Sequence, residues 1–493
     1  MMEASRRYGW AQTAPQPLTL NIHADQRIGA VPQNVMGLSY ESTQLGEQEF
    51  FAPANKTLVR FLQTLSSHGS LRLGGNTSEF TYFKATPQVA EPAWSPLPTQ
   101  PKELTPITPA ALHNLRRFLD ATGWNCIYGL NLGTGTPERA AEEAAAVMEI
   151  LGPKLEYLQI GNEPNNYIRY KLRPSTWNEK TYLAEWLSFA RVIVQKLPNA
   201  RLAGPDMGAD AAWMNLFATE AVAEMKQHLV AITDHFYAEG PPTSPESTMD
   251  TLLLNPKKID HEIAVTAAAG HTAKLPYRMT EVNSCYSGGK PGVSNTLGSA
   301  LWAGDLTLKL LAAGFCGINF HGGSARQIRA SLGGTMPGDT VAKSTADDSY
   351  YTPIAGSMEA GFSARPIFYG MMLAASMAGG ELVKASFAEP QAAVTAYAAV
   401  HGAPHSMQIA IFNKGSETAE IVFQAGEAHA QASVLRLTGA AVDATEGIQL
   451  GGAAVKGNGE WSPRAETLQR TAAGEFKLSV PAASAALVTL RHA

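Results

Sequence analysis

Between residues 34 and 378, short strand-like runs alternate with amphipathic or alanine-rich runs of helical period. The strand-like runs are "NVMGLSYES" (34–42), "SLRLGGNTSEF" (70–80), "WNCIYGLNLG" (124–133), "KLEYLQIGNEP" (154–164), "ARLAGPDMG" (200–208), "LVAITDHFYAEG" (229–240), "PYRMTEVNSC" (276–285) and "FCGINFHGG" (315–323). Eight strand–helix units in succession predict an α/β fold, a (β/α)8 TIM barrel. An open doubly wound sheet competes with it. That topology would place a G-x-G-x-x-G after the first strand, and none is there; the glycines of "GLNLGTG" have the wrong spacing and read as turn formers.

Beyond residue 380 the texture changes to short β-type runs such as "MQIAIFNKG", "ASVLRLTG" and "AALVTLRHA", which predict a β-sandwich. The expected organisation is a catalytic barrel over 31–378 and a sandwich over 379–493. Residues 1–30, whose run "LTLNIHAD" (18–25) has no helix partner, are expected to add strand to that sandwich. Two loops, at 84–108 and 324–353, exceed ordinary connections and leave the strand ends where barrel active sites sit.

Composition narrows the function. Hydrophobic residues make up 45% of the 493 and charged residues 16%, which suits a large packed core. A net charge of -5, with no cluster of lysine or arginine beyond "RR" at 6–7 and "KK" at 257–258, gives no field for nucleic acid. No run approaches the ~20 apolar residues of a membrane span. The first 17 residues lack the apolar centre of an intact signal peptide, so cytoplasmic and trimmed, exported chains both stay open. Cys126, Cys285 and Cys316 fit neither a disulfide framework nor a zinc site and are expected as buried free thiols.

The strand interiors are apolar and their tips polar: Glu41, Asn76, Asn131, Asn162 with Glu163, Asp206, His235 with Tyr237, Glu281 and His321. Stability alone does not require that asymmetry; a polar pocket on one rim does. Asp206 and Asn131 sit beside glycine and read as caps or turns. Pro164 biases Glu163 away from helical dihedrals, so Glu163 is expected in extended geometry, on one face with Gln159 and Gly161. Glu281 is expected to end strand seven in the same way, sharing a face with Met279 and Tyr277. Two carboxylates on strands four and seven suit glycoside hydrolysis, retaining at ~5–5.5 Å separation and inverting at ~6.5–9.5 Å. For either glutamate alone, structural ion pairing is the competing role.

"GNEP" on a fourth strand and "TEVNSCY" on a seventh, ahead of a β-sandwich, resemble the retaining (β/α)8 glycosidases. With "GLSYES", "LRLGGNTSEF", "AGPDMG", "HFYAEGPPT", "TEVNSCYSGGKPGVS" and "INFHGG", the chain resembles glycoside hydrolase family 79, the β-glucuronidase and heparanase family. The resemblance implies Glu163 as general acid/base and Glu281 as nucleophile. It implies Asn162 on the sugar 2-hydroxyl, Tyr237 on the nucleophile's carboxylate, and Glu41 on hydroxyls deep in the pocket. The sugar carboxylate would meet Tyr286, the backbone around Gly288 and Tyr351, or Tyr350 in its place, with Lys290 adding charge and His321 at the wall or in a purely structural role. The loops at 84–108 and 324–350 match no pattern of the family.

The expected function is therefore a retaining exo-β-glucuronidase, with no cofactor or metal and a carbohydrate bearing glucuronic acid as partner. Its oligomeric state is left open. An endo-β-glucuronidase on heparan-type chains is the alternative within the family, and it would call for basic flanks. A non-catalytic carbohydrate-binding protein is the alternative of another class, against which both glutamates speak. A metal-dependent hydrolase using His235 and His321 lacks a ligand motif such as H-E-x-x-H.

Overall fold

The computed structural model describes residues 17–94, 103–331, 349–402, 406–424 and 431–491. The expectations for the first 16 residues, the centre of the 84–108 loop and most of the 324–350 loop lie outside the described residues.

Eight parallel strands close into a barrel in chain order: Met36–Glu41, Ser70–Gly74, Asn125–Leu130, Leu155–Ile160, Leu202–Gly208, Leu229–Glu239, Tyr277–Cys285 and Ile318–Gly322. The eighth pairs back onto the first, Phe320 opposite Leu38. The surrounding helices start and stop where their sequences dictate. Pro109–Thr122 begins with the Thr108 hydroxyl accepting from the Ala111 amide and a proline in its first turn, and ends on left-handed Gly123. Asn178 and Thr181 close a reciprocal capping box at the head of Glu179–Lys196. Among the described residues no helix is long and apolar enough to cross a membrane.

The barrel's outer faces pack on the helices through one continuous apolar cluster that includes Leu38, Leu71, Leu130, Leu158, Ile232, Val282 and Phe320. Its interior holds buried polar side chains. In the lower layer, Arg278 donates to the Asn319 side chain (2.7 Å) and the Asn34 carbonyl (3.1 Å), and Asn319 donates to the Ser70 carbonyl (2.8 Å). Arg72 fills the layer above, fully buried.

Two of the barrel's bulges bear on its interior. On strand seven, Met279 and Glu281 stand opposite the consecutive residues Asp234 and His235, so Thr280 is extra. On strand five, Pro205 and Met207 face Thr233 and Asp234, so Asp206 is extra and lies at φ 63°. A bulge re-aims the side chains beside it. Glu281 accordingly does not share a face with Tyr277 and Met279: Tyr277 packs outward on Phe315, while Thr280 donates inward to Asp206 (2.7 Å). Nor does Glu281 end its strand, which continues to Cys285.

The C-terminal strands form one ten-stranded curled sheet around a second core containing Leu20, Ile409, Ile411, Ile421, Phe423, Val434, Phe476, Leu478 and Val488. Leu18–Ala30 runs inside it, antiparallel to Glu381–Phe387 and parallel to Ala419–Phe423. Barrel and sheet meet at a buried polar joint. There, Asp305 of helix Leu297–Ala312 accepts from Thr395 (2.6 Å), Tyr397 (2.9 Å) and Lys414 (2.5 Å).

All three cysteines are free; Cys126 and Cys285 are buried, and Cys316 is half-buried just ahead of its strand.

Candidate active site

A cavity of about 860 Å³ opens at the C-terminal ends of the barrel strands. Glu41, Asn162, Glu163, Tyr237, Glu281, Tyr286, His321 and Tyr351 all line it. Gly288 does not: its carbonyl accepts from the Tyr350 amide (2.8 Å), in a turn where Ser287, Gly288 and Gly289 all have positive φ. Lys290 points elsewhere, its ammonium donating to the carbonyls of Ser244 and Ser247.

Arg72 organises the floor. Its guanidinium donates to Ser39 (2.8 Å), Gln159 (3.0 Å), Asn162 (2.8 Å), Asp206 (2.6 Å) and Glu281 (2.7 Å). A planar fork of five donors matches such a ring of acceptors. The sequence reading passed over this residue, although a charge at an inward position between Leu71 and Leu73 was its signal. Asp206, read as a cap, is instead the second anion of this network; the following helix is capped by Asp210, whose carboxylate accepts from the Ala212 and Trp213 amides. Asn131 does close a turn, accepting from the Thr134 and Gly135 amides.

The Tyr237 hydroxyl donates to Glu281 (2.8 Å) opposite Arg72, and His321 Nδ1 stands 3.6 Å from the same carboxylate. Burial alone would raise the Glu281 pKa, but His321, His235, Arg72 and the Tyr237 hydroxyl bring it down to about 2. Glu281 is thus held as an anion on the floor of the cavity, its side chain 7% exposed. His321 Nε2 lies 3.3 Å from Glu41, whose other oxygen accepts from the Thr77 amide (2.9 Å) and hydroxyl (2.8 Å). Gly75 allows this contact, since a Cβ there would meet the Glu41 carboxylate at 2.4 Å. The rings of Tyr286 and Tyr351 flank Tyr237 at 6.4 and 6.3 Å.

Glu163 corrects the expectation of extended backbone. Strand four ends at Ile160, Gly161 turns at φ 86°, and Glu163 sits in the left-handed region at φ 46°, ψ 54°. Pro164 disfavours the right-handed helical region and leans towards extended backbone. The choice between what remains is tertiary: the Glu163 amide donates to the Asp206 carbonyl (2.9 Å), and its own carbonyl accepts from the Asn166 amide (2.8 Å). A non-glycine residue held there costs about 1–3 kcal/mol, which those bonds offset. The shared face with Gln159 does not extend past the strand.

The Glu163 carboxylate accepts from Asn166 (2.9 Å) and Tyr170 (3.4 Å), with His235 Nδ1 at 3.3 Å. Its side chain is 15% exposed, wetter than Glu281. An oxygen of Glu163, a ring nitrogen of His235 and an oxygen of Glu281 all lie within 4.8 Å of one another. As a metal site this trio fits poorly. Burial would lower the His235 pKa, but Asp206, 2.9 Å from Nε2, and Glu281 raise it to about 10, and a protonated imidazole offers no lone pair.

These shifts set a pH window for stability. Asp206 and Glu281 are depressed relative to unfolded values near 4, so their contribution is full above ~pH 4 and is lost as pH falls below it. His235 is raised, so its contribution is full below ~6.5 and fades as pH rises towards its folded value of about 10. Glu143, raised by burial to about 7 although Tyr128 donates to it, loses its contribution as pH rises from about 4.5 to 7 and so draws the optimum towards the acid end of the window. Thermal unfolding across pH is expected to peak between about pH 4 and 6.5. A midpoint still rising at pH 8 would contradict the protonated His235.

The family described as glycosyl hydrolase family 79 C-terminal beta domain matches residues 396–487. Over that stretch the chain resembles glycoside hydrolase family 79. A beta-glucuronidase of Aspergillus niger is 26% identical over 298 residues, covering 55% of this chain and 54% of its own. One of Neurospora crassa is 28% identical over 293 residues, covering 52% and 50%. The chain spans about half the length of the curated relatives it matches. Among solved structures, a 4-O-alpha-L-rhamnosyl-beta-D-glucuronidase from Fusarium oxysporum is similar with a TM-score of 0.71 at 17% identity, covering 96% of this chain and 100% of the other. A family 51 alpha-L-arabinofuranosidase from Bifidobacterium longum follows at 0.70 and 14%, covering 97% and 100%. These two likenesses speak for the barrel-plus-sheet fold.

Proposed function

We propose that this chain is a retaining exo-β-glucuronidase. The observation that carries the reading is the carboxylate pair: oxygens of Glu163 and Glu281 come within 4.8 Å, while their surroundings differ. Carboxyl groups ~5–5.5 Å apart suit double displacement, and a wider gap would be needed to seat water for inversion. Glu281, ionised by Arg72, Tyr237 and His321, attacks the anomeric carbon. Glu163, the wetter carboxyl, gives its proton to the glycosidic oxygen, and the aglycone leaves as the alcohol. Water then attacks the same carbon, passes a proton to Glu163 and releases Glu281 as carboxylate. Asn162, held by Arg72, is placed for the 2-hydroxyl, and Glu41 with His321 for hydroxyls deeper in the pocket. Tyr286, Tyr351 and the turn carrying Gly288 are the proposed reader of the sugar carboxylate. The relatives named beta-glucuronidase support that substrate class.

Exo action is favoured by the charge of the cavity. Glu41, Glu79, Glu163, Asp210, Glu262 and Glu281 line it against the Lys/Arg cations Arg169, Lys171 and Lys258. That balance gives no attraction for a sulfated polyanion.

Turnover of matched aryl β-glucuronide, β-glucoside and β-galacturonide tests the reading, with the anomer of the first product followed by NMR. Preference for the glucuronide and release of the β-anomer are expected. An α-anomer as first product would exclude double displacement, and internal cuts in a heparan-type oligosaccharide would exclude exo action.

A further inference from the structure

Glu79 closes the short turn after strand two, is 1% exposed, and was not singled out in the sequence. Four donors from two other loops converge on it. Oε1 accepts from the Asn162 amide (2.6 Å) and the Tyr167 hydroxyl (2.6 Å). Oε2 accepts from the amides of Leu132 (2.9 Å) and Gly133 (2.5 Å). Arg173 holds the same two residues by their carbonyls, donating to Leu132 (3.0 Å) and Gly133 (2.8 Å) while lying over the rings of Tyr167 and Trp177. Trp177 in turn donates to the Pro164 carbonyl (2.8 Å).

The loop that carries Glu163 is thereby sewn to the loops after strands two and three. The stitch nearest the proton donor is the Asn162 amide, one residue from Glu163 in its left-handed conformation. An ionised carboxylate is the side chain that presents acceptors alone at both oxygens. Any other group of this size would turn a donor or an apolar atom on some of these four.

We infer that Glu79 is a positioning residue for the proton donor: by fixing the Asn162 peptide it aims the Glu163 carboxyl at the glycosidic oxygen. The inference rests on the acid/base role proposed for Glu163. A small displacement of a reacting group can cost ~10²-fold in rate. That cost falls on proton transfer, so it should depend on how much the leaving group needs the proton.

The test compares kcat/KM for phenyl and dinitrophenyl β-glucuronides in the full chain, since the dinitrophenolate departs unprotonated. Glu79→Gln is expected to lose about 10²-fold on the phenyl substrate and less than about 5-fold on the dinitrophenyl one. Tyr167→Phe, which removes one of the four donors and keeps the ring, is expected to show the same selectivity at about 5–10-fold. It carries the test alone if Glu79→Gln does not fold. Equal losses on both substrates, or no loss on either, overturn the inference and leave the glucuronidase reading standing. A wild-type chain that turns over neither substrate overturns both.

Discussion

Glu281→Gln is expected to reduce turnover of an aryl β-glucuronide on the order of 10⁴–10⁶-fold, the scale seen when a covalent nucleophile is removed. The amide fills the same space and can still accept from Tyr237, so the fold should persist with Arg72 balanced by Asp206. What vanishes is the anion. His321, His235 and Arg72 are arranged around a negative charge, and their combined effect places the Glu281 pKa at about 2, far below any working pH. Turnover assays with circular dichroism on the same sample decide it. A folded variant keeping more than about a tenth of wild-type turnover would show that another group attacks the sugar.

The second large effect concerns stability. Arg72→Met should lower unfolding free energy by about 3–5 kcal/mol, because it strands two buried carboxylates without their cation. Asp206 and Glu281 would remain with His235, and the side chains of Gln159 and Asn162 would each lose a donor. Arg72→Lys should recover part of the loss but not all, since one ammonium cannot span five acceptors arranged for a planar fork. In a chain of two packed units the transition is best followed as the shift of the barrel's denaturation midpoint. An unchanged midpoint in Arg72→Met would mean that the carboxylates find other partners or take up protons at no cost.

What the sequence disclosed and what it hid divide along physical lines. The barrel and the pairing of Glu163 with Glu281 were legible because strand–helix alternation and polar tips are local patterns. Tyr237 and His321 followed from their strand ends. The bulges at Asp206 and Thr280 were not legible, because an extra residue shows only against the register of the neighbouring strand. Asp206 beside glycine resembled a turn former, and only the Arg72 fork reveals it as a structural anion. Glu163 was misjudged for a related reason. Pro164 excludes one region of backbone space, and a carbonyl more than forty residues downstream chooses among the others. Glu79 left even less trace, since three of its partners are backbone amides, which any sequence supplies.

The strand Leu18–Ala30 imposes an order of assembly. The barrel strands meet their neighbours as the chain emerges, each needing only the one before it and, at closure, the first. The curled sheet has no such progression: one of its inner strands leads the barrel, and that strand's partners, Glu381–Phe387 and Ala419–Phe423, trail it. A ribosome delivering the chain from its N-terminus must therefore finish the barrel before either edge of this strand can be covered. An open strand edge is a template for wrong partners. The segment meets that hazard with Asn21, Asp25, Gln26 and Arg27, all still exposed in the finished sheet. Completion of the C-terminal sheet is in this sense the last stitch, and it ties together the two ends of everything made before it.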